Sequence, residues 1–252
     1  MVRFDPTQEN VGREILAYCE KHLIPVEHFL RIIYDQKVVP MLRGKGMEFS
    51  VADALEDVLD EREWSIQKLN LAAQGNAPDQ DITLTHRRTG IQLKVESKSA
   101  VRASFKLGER AKGVNKGKAH FRVKSHRSRS NISKQGAGND RYLATDFDVV
   151  ISNPENSIYQ GNTASESLEL IHDKEAVAFL LNHYGVSLPN ELPHAAYADW
   201  RFVFPRDIAE DGFIPRTPYV WLVDDPHWKP LNRLEEGLTA LIQERRGLHS
   251  SR

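Results

Sequence analysis

The stretch that decides the fold is PDQDITLTHRRTGIQLKVESK, residues 78–98. Apolar and polar residues alternate in ITLTH (82–86) and in IQLKVES (91–97), which predicts two half-buried strands. The segment between them, RRTG (87–90), has the composition of a tight turn. The sequence therefore predicts an antiparallel hairpin.

The register of this hairpin places three charged residues together. If the turn is centred between Arg88 and Thr89, Asp81 lies directly opposite Glu96, with the Cβ atoms roughly 5 Å apart. Because side chains alternate along a strand, Lys98 shares the face of Glu96, roughly 6.6 Å further along. A turn one residue longer would break this register, so the juxtaposition depends on the turn.

The rest of the chain mixes helical and strand patterns without a long linker or an internal repeat. Apolar spacing predicts helices before and after Pro25, a link at RGKG (43–46), and a stronger helix from about Met47 to Glu61. A further helix is capped by Asp173 and stopped by Gly185, and a final one carries a leucine stripe from 231 to 242. Other strands are predicted at 63–70, 146–152, 167–171, 200–204 and 219–223.

This mixture predicts the α/β or α+β class. We expect a single domain over 1–252. Its parts are a helical N-terminal region (1–46), a catalytic core (47–152) and C-terminal strands and helices that complete the domain (153–252). The core contains a basic insert at 102–134 with little apolar patterning beyond HFRV (120–123).

Composition excludes several classes of protein. The 252 residues are 40% hydrophobic and 27% charged, which is typical of a globular protein, and no apolar run is long enough to span a membrane. The single cysteine, Cys19, excludes an internal disulfide and a cysteine-based zinc cluster. The start of the chain lacks the apolar stretch of a signal peptide, so we expect a cytoplasmic protein with no membrane partner.

The basic insert concentrates the positive charge of the chain. It holds eleven Lys and Arg residues and one acid, a net +10, whereas the formal charge of the whole chain is −1 and the remainder is therefore −11. Such a window favours contacts with the phosphates of nucleic acid. The residues expected to contact DNA, with Asn131 and Gln135 as candidates for reading base edges, are Lys106, Arg110, Lys112, Lys116, Lys118, Arg122, Lys124, Arg127, Arg129, Asn131, Lys134 and Gln135.

The hairpin charges suit the hydrolysis of a phosphodiester. Asp81 and Glu96 offer the hard oxygen ligands that Mg²⁺ prefers, and bound Mg²⁺ polarises a phosphate and acidifies water. Lys98 can orient the attacking water or stabilise the charge that develops on the phosphoryl oxygens. Glu48 lies on the apolar face of its predicted helix, where an acid is expensive unless it is paired or binds a metal. Glu48 is therefore a candidate fourth catalytic residue and third metal ligand.

An acid before a strand, then a hairpin, then Glu96-Ser97-Lys98 resembles the PD-(D/E)XK nuclease superfamily. Glu48 on the preceding helix and the later strand DFDVVIS (146–152) also resemble that family, and the likeness covers about 44–152. It implies a mixed central β-sheet flanked by helices, Mg²⁺ as cofactor with Mn²⁺ as a substitute, and products with 5′-phosphates. Asp81 fits the family pattern better than Asp79, the other acid of PDQD, because Asp81 directly precedes the apolar strand.

The size of the chain is similar to that of a stand-alone type II restriction endonuclease. The leading hypothesis is therefore a sequence-specific endonuclease of double-stranded DNA, acting as a homodimer so that both strands are cut, with a cognate DNA methyltransferase as genetic partner. A repair or recombination endonuclease on the same fold is a second hypothesis. A DNA-binding protein without catalysis is a third, which the intact Asp81, Glu96 and Lys98 disfavour.

Overall fold

The structure is a computed structural model that describes residues 8–68, 81–108, 117–126, 140–162 and 167–250. By their internal packing the residues form two compact units, Met1–Gly46 and Met47–Arg252. The boundary coincides with the one predicted between the helical N-terminal region and the catalytic core; the organisation as a single domain stays a prediction. No helix among the described residues is both long enough and apolar enough to cross a membrane.

The first unit is helical, as its sequence predicts. Helix α1 spans Gln8–Lys21, and α2 spans Val26–Ile33 directly after Pro25. Helix α3 spans Val38–Val58 and continues into the second unit. The predicted link at 43–46 is therefore wrong, because α3 runs through it. Gly44 and Gly46 each destabilise a helix by about 1 kcal/mol relative to alanine, and the helix-forming residues on both sides offset this loss.

The second unit is built on a six-stranded mixed sheet, in the order β1-β2-β3-β5-β8-β10. Only the β3–β5 pair is parallel among the described pairings of this sheet. The predicted mixed central sheet is confirmed. The strands are β1 (Trp64–Lys68), β2 (Ile82–His86), β3 (Gln92–Ser97), β5 (Val149–Ser152), β8 (Arg201–Val203) and β10 (Lys229–Pro230).

Helices and two small antiparallel ribbons complete this unit. Strand β4 (His120–Arg122) pairs with β9 (Tyr219–Trp221), and β6 (Tyr159–Asn162) pairs with β7 (Ser167–Leu170). Asp173 caps α4 by accepting a hydrogen bond from the Ala176 amide, and Gly185 ends it with φ 65°, as the sequence predicts. The remaining helices are α4 (Lys174–Tyr184), α5 (Leu192–Ala198), α6 (Pro205–Ile208) and α7 (Leu234–Ser250).

Two apolar cores cover the two faces of the sheet. Alternate residues of β5 serve both of them: Val149 and Ile151 enter the core made with α3 and α7, and Val150 enters the core made with α4 and α5. This is why DFDVVIS reads as a fully buried strand. The basic insert contributes to the second core through Phe105 and Phe121, so its described parts are not a surface loop alone.

Candidate active site

The hairpin has the register that its sequence predicts. Ile82 pairs with Val95 and Thr85 with Gln92, and every pair keeps the same offset. The turn closes where the amide of Gly90 donates to the carbonyl of His86 over 2.9 Å. Gly90 has φ 69°, a conformation that a residue with a Cβ rarely adopts.

Asp81 directly precedes β2, and Ser97 holds its side chain by hydrogen bonds. Its Oδ2 accepts hydrogen bonds from the backbone amide of Ser97 over 2.8 Å and from Ser97 Oγ over 2.6 Å. Burial raises the pKa of Asp81 above its ordinary value, and the nearby charge of Glu48 raises it further, while the Ser97 hydrogen bonds oppose both effects. Neutral donors from Ser97 thus hold this side chain where β2 begins and β3 ends.

Glu96 and Lys98 form a buried ion pair beside it. Glu96 is 4% exposed, and Lys98 Nζ donates to its Oε1. Lys98 Nζ also lies 3.4 Å from Tyr142 Oη and 4.8 Å from the centre of the Tyr142 ring. Burial alone would lower the pKa of Lys98, but the charge of Glu96, with Tyr142 and Asp81, raises it above the ordinary value. The raised pKa favours the ammonium form of Lys98, which donates to Glu96 Oε1.

Glu48 reaches the same region from α3 and meets a residue that the sequence reasoning missed. Glu48 is 8% exposed, and its Oε2 accepts from Lys68 Nζ over 2.9 Å. Lys68 Nζ also lies 4.2 Å from the centre of the Phe49 ring. Lys68 could have been predicted from the pairing of β1 with β2. This pairing places Lys68 opposite Ile82, the residue that follows Asp81 in the chain.

The site therefore contains three acidic and two basic side chains. Within the described parts of the chain, no three His, Cys, Asp or Glu side chains converge closely enough to hold a metal ion. Ammonium groups form ion pairs with two of the three acids, Glu48 and Glu96. Mg²⁺ requires only one or two protein carboxylates, because it retains several waters. The donor chemistry of Asp81 with Glu96 or Glu48 fits such an ion, whereas a set of all three stays a prediction. Asp79 lies outside the described residues.

The predicted DNA-contacting residues divide into two groups. Lys106 and Lys124 are exposed, Arg122 is half-buried, and Lys118 lies with Nζ 3.1 Å from the centre of the Trp221 ring. The others lie outside the described residues; they are Arg110, Lys112, Lys116, Arg127, Arg129, Asn131, Lys134 and Gln135. Contact with DNA stays a prediction for both groups.

Comparison with known proteins adds little to this geometry. No protein-family model matches the chain, and no curated protein matches it. A solved structure of a bacterial homing endonuclease, I-Ssp6803I, is similar over 82% of this chain and 95% of that chain, with 15% identity and a TM-score of 0.32. A likeness this weak carries no argument about function, so the interpretation of the site depends on its own residues.

Proposed function

We propose that this protein is a Mg²⁺-dependent endonuclease of double-stranded DNA, with Asp81, Glu96 and Lys98 at its reaction centre. The observation that carries the proposal is the hairpin register. It brings the Asp81 carboxylate to Ser97, the residue between Glu96 and Lys98 in the chain, at the end of two neighbouring buried strands. Two carboxylates and an ammonium in this arrangement match the needs of phosphodiester hydrolysis.

Asp81 and Glu96 would hold the ion, and Glu48 is a further candidate ligand. Bound Mg²⁺ would polarise the scissile phosphate and acidify a coordinated water. Lys98 contributes a fixed positive charge, because its ammonium is anchored on Glu96. That charge can stabilise the additional negative charge on the phosphoryl oxygens as the water oxygen bonds to phosphorus. The bond from phosphorus to the 3′ oxygen would break as the water loses its proton to solvent, and the departing oxygen would take up a proton from solvent, leaving a 3′-hydroxyl and a 5′-phosphate.

More specifically, we propose that the protein is a restriction-type enzyme. A homodimer would bring one such site to each strand of the duplex, and a cognate DNA methyltransferase would protect the host sequence. Ends that map to one short sequence would support this form. Cuts that follow mismatches or junctions would instead favour a repair or recombination endonuclease.

The test is plasmid cleavage with Mg²⁺, followed by mapping of the ends, for the wild type and for Asp81→Asn, Glu96→Gln and Lys98→Met. We expect the substitutions to abolish cleavage while DNA binding persists. Lys94→Met is the matched control for Lys98→Met, because Lys94 lies on the same strand and outside the site. Calorimetry with Mg²⁺ gives a second readout: Asp81→Asn should lose metal affinity, and Lys98→Met should have at least the wild-type affinity, because the lysine no longer competes for Glu96. Cleavage by Asp81→Asn at the wild-type rate would exclude this site.

A further inference from the structure

The β4–β9 ribbon has two chemically different faces. The strands are antiparallel, with His120 opposite Trp221 and Arg122 opposite Tyr219. The pairing continues beyond the strands, because the amide of Ser125 donates to the carbonyl of Arg216 over 2.9 Å. It thus joins a segment of the basic insert to a strand about a hundred residues further along the chain.

One face of the ribbon belongs to the second apolar core. Phe121 and Val220, which pair with each other, are fully buried, and so is Val123. Because side chains alternate, the residues between them point to the opposite face. That face is therefore fixed in position by the packing of the core behind it.

The opposite face is basic and aromatic. Lys106 forms a bridge with His120 on the side of β4 away from β9, which adds a lysine to this face. By alternation and pairing, the residues of this face are Lys106, His120, Arg122, Lys124, Thr217, Tyr219 and Trp221. None of these seven positions is acidic, although the chain as a whole has nearly equal numbers of acids and bases.

Contacts within this face hold its cations and aromatic rings in place. Lys118 Nζ lies over the Trp221 ring at 3.1 Å, which orients the ammonium. The Tyr219 ring is 47% exposed and packs edge-on against buried His120, with ring centres 5.1 Å apart. Two acids follow β9: Asp224 is exposed, and Asp225 accepts hydrogen bonds from the backbone amides of Trp221, His227 and Trp228.

We infer that this outer face of the ribbon binds the phosphate backbone of duplex DNA. The inference rests on the proposed function for the identity of the partner, and it adds Tyr219 and Trp221 to the predicted basic residues. Arg122, Lys124 and Lys106 supply cations for phosphates, and the Tyr219 hydroxyl supplies a neutral donor. Contacts of this kind position the duplex and do not distinguish sequences.

The test measures the affinity for labelled random-sequence duplexes in EDTA at several salt concentrations, so that no cleavage is required. The variant is Arg122→Ala/Lys124→Ala. The matched control is Arg62→Ala/Arg233→Ala, which removes two exposed positive charges of the same unit away from the ribbon. If each ribbon residue contacts one phosphate, the log–log salt slope should become shallower by about 1.8 in the variant. Tyr219→Phe should weaken binding without changing the slope.

Equal slopes in the ribbon variant and in the control would overturn the inference. Thermal melts verify that both double variants are folded. The outcomes separate the two proposals. Cleavage of DNA with a normal salt slope in the ribbon variant would reject the ribbon and retain the endonuclease. Binding that depends on the ribbon, without any cleavage in Mg²⁺, would retain the ribbon and reject the endonuclease.

Discussion

Removing one partner of the buried Glu48–Lys68 ion pair is predicted to destabilise the protein, and Lys68→Met tests this. The two charged atoms are 2.9 Å apart, and the Lys68 and Glu48 side chains are 6% and 11% exposed. At an effective dielectric constant of about 20, their attraction is about 6 kcal/mol. The cost of removing both ions from water offsets much of this. Removing one partner alone leaves a buried charge, which destabilises a protein by about 3–5 kcal/mol.

A double-mutant cycle in urea measures this coupling. Lys68→Met and Glu48→Gln should each lower the free energy of unfolding by about 3 kcal/mol, and the melting temperature by roughly 6–12 °C. The double variant should lose much less than the sum of the two. Glu56→Gln, an exposed acid on the same helix, should change stability by less than about 0.5 kcal/mol. Strictly additive single losses would refute the reasoning, because they would show that the two charges do not interact energetically.

Three further substitutions test local features of the structure. Ser97→Ala removes the 2.6 Å hydrogen bond to Asp81 and should lower the free energy of unfolding by about 1.5 kcal/mol, measured in urea. It should also slow cleavage, since Asp81 loses one of two anchors. Asp173→Ala removes the cap of α4 and should cost about 1 kcal/mol in the same assay. Gly185→Ala should lower the melting temperature, because φ 65° costs a residue with a Cβ roughly 1–2 kcal/mol; an unchanged melting temperature would contradict this.

The hairpin and its register could be predicted because their determinants are local. A four-residue turn separates strands with clear alternation, so one assumption about the turn fixes every pair between Ile82 and Gln92. Both ends of α4 could be predicted for the same reason, since Asp173 and Gly185 act on the backbone next to them.

What sequence reasoning missed depends on contacts between distant segments. Lys68 joins the site through the β1–β2 pairing and through Glu48, twenty residues away on α3. The aromatic residues of the ribbon reach the basic insert across about a hundred residues. Neither relation leaves a periodic signal within one segment. The link predicted at 43–46 was wrong for another reason. The low helix propensity of glycine is a weak local preference, and the flanking helical residues override it.

The charge arrangement distinguishes Asp81 from its two acidic neighbours. Glu48 and Glu96 each have an ammonium on one carboxylate oxygen, whereas the hydrogen bonds to Asp81 come from the neutral amide and hydroxyl of Ser97. Among the residues that the structure describes, Asp81 forms no ion pair, so a cation bound there would displace none, whereas binding at either neighbour would compete with a lysine. When all five groups are ionised, the three acids and two lysines sum to −1, which favours the binding of a cation over that of an anion. If the proposed ion binds, we therefore expect Asp81 to be its primary ligand, and we expect the two lysines to limit how far Glu96 and Glu48 can join it.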